Sequence, residues 1–183
     1  MNIFSKLLGE NKNKKEVSLG VRIEKARQII DQAELIVIGA GAGLSTAAGL
    51  EFGVKRFEKY MADFGAKYGY HDMYSGDFYD YDTPEEFWAF EAKSILVNRY
   101  DVESFPLYQK LFDIVKNRNY FVLTTNVDSQ FFKAGFTKEN VFATQGDYGL
   151  FQCSKGCHKK LYDNEEVVRK MVHMHAHQWQ LYQ

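Results

Sequence analysis

The feature that most constrains the fold is the stretch IVIGAGAGLSTAAGL at residues 36–50, where a β-branched apolar run passes directly into residues without side-chain bulk. Four glycines and four alanines stand in this stretch, where a strand should stop. Glycine lets a backbone turn sharply and approach another molecule closely, and a purely structural turn normally needs only one. The stretch therefore predicts a strand, a tight turn and a helix, with a ligand against the turn.

The overall composition is that of a single globular domain. With 183 residues, 45% of them hydrophobic and only two prolines, the chain is long enough to bury a core. Lys and Arg number 23 against 24 Asp and Glu, which gives no electrostatic footprint for nucleic acid or a membrane surface. No signal peptide and no apolar run of membrane length is visible, so we expect a cytoplasmic protein with no nucleic-acid and no membrane partner.

Apolar spacing and capping signals predict the helices. Ser18 is a cap for a first helix with one apolar stripe, and the capping box TPEE at 83–86 places proline at the first helical position of another. That helix should run to about residue 98, and a further one should cover 107–116. The aromatic-rich residues 52–81 have no clean period and are interpreted as a packed loop or irregular helices.

The strands complete an alternating order of elements. Buried strands are predicted at 35–38, 120–123 and 141–143. The predicted order of elements is helix, strand, glycine turn, helices, strand, turn and strand. This order is typical of an α/β protein with a parallel sheet, and such sheets bind their ligands at the carboxyl ends of the strands. Chemistry is therefore expected directly after each of these three strands.

The turn after the first strand is predicted to hold a diphosphate. Exposed N–H groups at the start of a helix bind anions, and Gly41, Ala42, Gly43 and Ser45 stand at that position. The strict dinucleotide fingerprint fails, because its third glycine is replaced by leucine or threonine whichever glycine begins the count. An ordinary hydride-transfer enzyme is thus disfavoured, and a plain strand-to-helix connection remains an alternative.

Polar side chains also follow the second and third strands. The second strand runs into TTNVD, with Asn126 and Asp128, and the third into TQGDYG, with Gln145. Asp128 has two readings that are compatible, a ligand contact and a cap for a helix starting near residue 129. Taken alone, Gln145 is more typical of a surface amide than of a catalytic group.

Together these motifs resemble those of the sirtuin family over about residues 21–169. GAGLSTAAGL is similar to the sirtuin glycine motif, TTNVD to its Thr-Gln-Asn-Ile-Asp motif, and TQGDYGLFQC to the segment with the catalytic His-Gly and the first zinc cysteine. The residues of these motifs are most similar to those of the macrodomain-linked class M sirtuins of bacteria and fungi. The resemblance implies a parallel Rossmann-like sheet with flanking helices over residues 18–150, and over 151–183 an incomplete zinc-ribbon-like segment and tail, with the C-terminal part of the sirtuin fold missing.

For class M the resemblance implies protein ADP-ribosyl transfer from NAD, with a lipoyl-carrying protein as acceptor and a macrodomain as a partner. The resemblance implies that Asn126 orients the ribose and the nucleophile. It implies that Asp128 contacts a ribose or supports its own loop. Phe52 would cover the nicotinamide where other sirtuins have Pro-Asp-Phe-Arg. Gln145 stands where deacylases have histidine, and an amide cannot act as a base at neutral pH. A deacylase, an NAD hydrolase and an inactive truncated fragment that binds NAD or ADP-ribose are the alternatives.

The end of the chain carries half of a possible zinc site, and whether it binds metal stays open. Cys153 and Cys157, beside His158, form half of a site that needs four ligands, and the chain has no other cysteines. The missing ligands could come from the tail HMHAHQ, whose alternate histidines would share one side of an extended strand. A frayed terminus without metal is the alternative. A sheet without its later strands should also expose an apolar face and an unpaired edge.

Overall fold

The computed structural model describes residues 18–50 and 53–180, with side chains through residue 175. Its centre is a parallel sheet of three strands in the order β1 (Ile36–Ala40), β2 (Tyr120–Thr124) and β3 (Val141–Ala143). The register pairs the last residues of the strands, Ala40 with Thr124 and Thr124 with Ala143. The predicted α/β class and the three predicted strands are confirmed, and their carboxyl ends lie side by side.

Helices surround this sheet and form a separate cluster beside it. In chain order they are α1 (Leu19–Gln32), α2 (Ala42–Ala48), α3 (Val54–Tyr68), α4 (Met73–Asp77), α5 (Pro84–Ile95), a π-helical turn (Leu96–Tyr100), α6 (Pro106–Val115), α7 (Gln130–Lys133), a 3-10 turn (Lys138–Asn140) and α8 (Glu165–Gln180). Within the described residues, no helix combines the length and the apolar character needed to span a lipid bilayer.

Within residues 18–50 and 53–180, only one face of the sheet is covered. Side chains of that face, such as Val122, pack with α2 and α6 around the fully buried Tyr108. On the other face Val37 is 62%, Leu123 45% and Phe142 57% exposed. In the register Val37 pairs with Phe121, and Leu123 pairs with Phe142. Parallel sheets are normally covered on both faces. The described chain therefore presents the uncovered apolar face that the sequence led us to expect.

Because the two faces of β2 differ in burial, we expect substitutions at neighbouring positions to differ in their effect on the free energy of unfolding. Val122→Ala should lower the free energy of unfolding by about 2 kcal/mol, because it removes two methyl groups from a fully buried site. Leu123→Ala removes more carbon from the open face and should cost less than about 1 kcal/mol. Urea unfolding of both variants tests this. An equal loss in both would mean that the open face is covered in solution.

Helix α1 forms as predicted, but its apolar stripe stays exposed. None of its residues is buried, and the Ser18 side chain makes no capping hydrogen bond. The helix is held at its C-terminal end, where Arg118 Nη2 lies 2.6 Å from Asp31 Oδ1. The stripe follows from the sequence alone, whereas its burial needs a packing partner that the described chain does not supply.

Residues 54–77 form helices rather than a loop. Helix α3 contains a kink at Met61, and the short α4 follows it, so the interpretation as irregular helices is confirmed. Their aromatic side chains pack against α5, with Phe64 and Phe90 meeting edge to face at 5.4 Å. The predicted capping box starts α5, since Thr83 Oγ1 accepts a hydrogen bond from the N–H of Glu86 at 3.3 Å.

Two carboxyl groups inside this helical cluster predict a pH-dependent stability. Burial, with the neighbouring charge of Asp77, raises the pKa of Glu91 to about 7, and burial, with the charge of Asp72, raises that of Asp77 to about 6. Asp77 Oδ1 is fully enclosed and has no hydrogen-bond partner. Because both pKa values lie above those of the unfolded chain, their protonated forms stabilise the fold, and that stabilisation is lost as the pH rises from about 4.5 to 7.

We expect Glu91→Gln to raise the free energy of unfolding at pH 8 by roughly 2–3 kcal/mol relative to the native chain, and to change it little at pH 4.5. Glu85→Gln, on the exposed side of the same helix, is the matched control and should change it little at either pH. Unfolding in urea at the two pH values measures both. A gain for Glu91→Gln that is equal at the two pH values would contradict the prediction.

The end of the chain differs from the prediction. Strands β4 (Leu150–Gln152) and β5 (Leu161–Asp163) form an antiparallel hairpin around the cysteine turn, and α8 follows. The histidines of the tail are therefore helical, and the prediction of an extended strand is wrong. The reason is tertiary packing, because α8 buries Val168 and stacks His175 on Phe64 at 5.1 Å. Alternate positions of a helix do not share a face.

Candidate active site at the strand ends

The glycine turn after β1 combines a close approach with open space. Gly41 has an extended backbone and precedes α2, and a Cβ there would lie 3.3 Å from Thr125 Oγ1. A Cβ at Gly43 would meet nothing within 4 Å. The first N–H groups of a helix have no intrahelical acceptor, which leaves those of Ala42 and Gly43 available beside this space. The turn thus keeps the next loop close and leaves room in front of its own backbone.

Ser45 lies inside a buried hydrogen-bond network behind this turn. Its Oγ donates to Asp128 Oδ2 at 2.6 Å and lies 2.8 Å from the hydroxyl of Tyr108. Since the single Ser45 proton points to the carboxylate, the Tyr108 hydroxyl is the donor to Ser45. Ser45 is 1% and Asp128 3% exposed. Burial raises the pKa of Tyr108, and the negative charge of Asp128 adds to this, so the hydroxyl keeps its proton.

Asn126 joins the network to the glycine turn. The two hydrogens of its Nδ2 are shared among three acceptors, the carbonyl oxygen of Gly41 at 3.1 Å, Ser45 Oγ at 3.1 Å and Tyr108 Oη at 3.2 Å. A carbonyl oxygen can only accept, which fixes the orientation of the amide. Among the described residues no group donates to Asn126 Oδ1, and the side chain is partly exposed. The site therefore presents a positioned acceptor oxygen.

Asp128 connects the network to the next helix. Its Oδ1 accepts a hydrogen bond from the N–H of Gln130, the first residue of α7, at 3.1 Å. The N-cap position itself belongs to Ser129, so Asp128 supports the start of the helix from one residue further out. Ser129 has a φ of 62°, and among the described residues it is the only non-glycine residue with a positive φ. A left-handed backbone at a serine costs free energy, and such strain concentrates at functional sites. A direct contact between Asp128 and a ligand stays a prediction.

Gln145 is exposed on a turn at the end of β3. The N–H of Gly146, at a φ of 85°, closes this turn on the carbonyl of Ala143 at 3.2 Å. Within the described residues the Gln145 side chain makes no hydrogen bond. The turn is tied to β2, since the N–H of Thr144 donates to the carbonyl of Thr124 at 2.8 Å. Thr124 Oγ1 also accepts from the N–H of Asn126 at 3.0 Å, so one residue holds both predicted catalytic segments.

Not all predicted site residues meet. The structure brings together Gly41, Ser45, Asn126 and Asp128, and it places Ala42 and Gly43 on the same turn. Phe52 lies outside the described residues. Ser45 Oγ is occupied within the network, so its predicted contact with a diphosphate stays a prediction. Sequence reasoning missed Tyr108, because it lies in an apolar period that indicates core, and it assigned no role to Thr124 within TTNVD.

The cysteine turn brings three metal-ligand types together. Cys153 Sγ and Cys157 Sγ lie 3.1 Å apart, and with the His158 ring the three ligand atoms lie within 4.8 Å of one another. Hydrogen bonds from the Cys157 thiol and from backbone N–H groups lower the pKa of Cys153, which favours the thiolate that binds metals. Two thiolates on tetrahedral zinc lie about 3.8 Å apart, so the thiols would separate slightly. The donor chemistry fits three of the four positions.

Comparison with solved structures defines the class of fold. A Sir2 enzyme bound to a propionylated peptide superposes with a TM-score of 0.53 at 22% identity, over 82% of this chain and 55% of that chain. A structure from a study of sirtuin substrate affinity gives the same TM-score and identity, over 85% of this chain and 57% of that one. The chain therefore has the sirtuin α/β fold over the part that these structures share.

Curated proteins are similar in sequence as well. A protein ADP-ribosyltransferase of Staphylococcus aureus (strain Mu50 / ATCC 700699) is 37% identical over 171 residues, which are 93% of this chain and 52% of the relative. A probable bifunctional ADP-ribose hydrolase/ADP-ribosyltransferase of Fusarium oxysporum f. sp. cubense is 31% identical over 84% of this chain and 27% of its own length. The chain thus spans about half or less of these relatives. No model of a known protein family matches it.

Proposed function

We propose that the chain carries the NAD-binding part of a sirtuin-type protein ADP-ribosyltransferase of the macrodomain-linked class M. The observation that carries the proposal is the position of Asn126. Its Nδ2 is held by hydrogen bonds between the glycine turn and the buried Ser45–Asp128 pair, while its Oδ1 stays available. The names of the two curated relatives support transfer of ADP-ribose rather than removal of an acyl group.

In this proposal NAD is a substrate that lies along the strand ends. The N–H groups of Ala42 and Gly43 bind the diphosphate in the open space before the turn. Asn126 Oδ1 accepts a hydrogen bond from a hydroxyl of the nicotinamide ribose and orients that ring. Phe52 would cover the nicotinamide. The domain division proposed is 18–150 for NAD binding and 151–183 for a small zinc-ribbon-like segment.

The chemistry proposed is an exchange of partners at the anomeric carbon of the ribose. The bond to nicotinamide breaks and its electron pair returns to the pyridinium ring, so nicotinamide leaves neutral without needing an acid. A nucleophile of the acceptor forms the new bond and loses its proton to water. A sirtuin deacylase also needs a base to deprotonate a ribose hydroxyl, and the neutral amide of Gln145 cannot serve as one.

We propose a lipoyl-carrying protein as the acceptor and a macrodomain protein as a further partner, both in the cytoplasm. Solved structures with this fold include one bound to an acetylated peptide and one to a propionylated peptide, which supports a polypeptide acceptor. The cysteine turn would hold zinc through Cys153 and Cys157, with His158 as a third donor. Zinc there would stabilise the β4–β5 hairpin without taking part in the transfer.

The proposal is tested by incubating the chain with NAD labelled in its adenylate part and with one carrier protein in two forms, lipoylated and unlipoylated. We expect label on the lipoylated form alone, with one nicotinamide released for each label. The Staphylococcus aureus relative serves as a control for the assay. Nicotinamide release without labelled protein would favour NAD hydrolysis, and neither product despite bound NAD would favour an inactive fragment.

A further inference from the structure

The position of Gln145 is set by its backbone neighbours rather than by its own side chain. On one side Thr144 is bonded to the carbonyl of Thr124 on β2. On the other side Asp147 and Tyr148 follow, and the N–H of Tyr148 donates to the carbonyl of Val127 at 3.2 Å. Because the Gln145 side chain makes no hydrogen bond of its own among the described residues, these two anchors fix the backbone from which its side chain extends.

An ion pair between Arg99 and Asp147 lies next to the second anchor. Arg99 Nε donates to Asp147 Oδ1 at 2.5 Å and Arg99 Nη2 to Asp147 Oδ2 at 3.3 Å, and both side chains are mostly buried. Asp147 Oδ1 also accepts from the N–H of Gly149 at 2.6 Å. A Cβ at Gly149 would lie 2.3 Å from the guanidinium carbon, so a side chain there would displace the guanidinium from its present position. A two-fold contact between rigid planar groups fixes direction as well as distance.

The local fold of Arg99 explains why it reaches this loop. It lies in the π-helical turn, which extends α5 and ends with the N–H of Asp101 donating to the carbonyl of Leu96 at 2.8 Å. π-Helical turns recur at functional sites. Lys133 Nζ donates to the carbonyl oxygens of Arg99 and Val102. Lys133 belongs to α7, which follows the Asp128 turn, so this contact and the Arg99–Asp147 pair together link the loops after β2 and β3.

We propose that Arg99 is a positioning residue, which acts through Asp147 to hold the Gln145 turn against the end of β2 in the geometry that transfer requires. The catalytic meaning of this geometry rests on the proposed function. The statement that the ion pair orders the turn, which we call the mechanical statement, does not rest on the proposed function. Sequence reasoning had no signal for the pair, since 48 residues separate its members.

Amide hydrogen exchange in residues 144–149 tests the mechanical statement without any activity. Arg99→Gln and Asp147→Asn should each raise the exchange rate of this segment about tenfold or more. Arg56→Gln is the matched control, because Arg56 Nε donates to Asn98 Oδ1 at 3.0 Å in the same π-helical turn without contacting Asp147. It should change exchange in 144–149 by less than about twofold. Equal effects of all three variants, or none in the first two, would overturn the proposal.

The catalytic statement is tested with the labelled-NAD assay at a temperature where each variant is fully folded. We expect Arg99→Gln to lower kcat by about 10- to 100-fold with the KM for NAD within about threefold, since misplacement impairs the reacting geometry more than binding. Arg99→Lys should recover part of kcat, because it keeps the charge and loses the second contact. Faster exchange with unchanged kcat would refute only the catalytic part. A native chain without transfer activity would count against the proposed function and leave the exchange result to decide the role of the ion pair.

Discussion

Asn126→Ala should lower kcat for nicotinamide release from NAD by about 10²- to 10³-fold, the loss typical of removing one preorganised polar contact to a reacting group. The variant deletes the acceptor oxygen at Oδ1 and the hydrogen bonds from Nδ2 to Gly41, Ser45 and Tyr108. It also frees Gly41 from the loop after β2. Nicotinamide release at saturating NAD is the measurement, because it reports cleavage whether the acceptor is a protein or water.

The matched control is Asn119→Ala at the other end of β2. The Asn119 side chain is exposed, and its Nδ2 donates to the carbonyl of Glu34 at 3.3 Å. This variant should release nicotinamide at the native rate. If Asn126→Ala kept most of the activity, or if both variants lost equal amounts, the reacting ribose would lie elsewhere and the assignment of Asn126 would be wrong.

Gly43→Leu is expected to weaken NAD binding by at least about 100-fold while leaving the fold as stable as before. Leucine is a better helix former than glycine, and its Cβ at this position would meet nothing within 4 Å. The side chain would instead fill the open space in front of the turn. A substitution that costs no stability and abolishes binding indicates that a ligand occupies this space.

Gly20→Leu in α1 provides the control for that experiment, because a Cβ there also has nothing within 4 Å. Isothermal titration with NAD and urea unfolding should be run on both variants. Native affinity in Gly43→Leu would show that the diphosphate does not lie against the turn. Loss of stability in Gly43→Leu would instead show that the space is smaller than the structure indicates.

The parts of the fold that the sequence predicts are those with local causes. The capping box at Thr83 acts over three residues, and each strand is a short apolar run that ends in polar residues. Parallel order follows from helices placed between strands, and it brings the strand ends together without further information. Asn126 and the Gly41 turn could therefore be assigned to one site from the sequence, and they are joined by a hydrogen bond.

The parts that escaped prediction depend on contacts across the chain. Tyr108 has the spacing of a core residue. Its hydroxyl has a role in the network only because the fold brings it to Ser45, which lies 63 residues away in the sequence. The tail around His175 alternates like a strand, yet packing on Phe64 favours a helix. The exposure of the α1 stripe depends on the absence of a packing partner within the described chain, which periodicity cannot indicate.

The most direct test of the account is a crystal structure of the chain with NAD. The account predicts diphosphate oxygens within hydrogen-bond distance of the N–H groups of Ala42 and Gly43, and a hydroxyl of the nicotinamide ribose within hydrogen-bond distance of Asn126 Oδ1. NAD bound at any other place, such as the open face of the sheet beside Phe142, would contradict it.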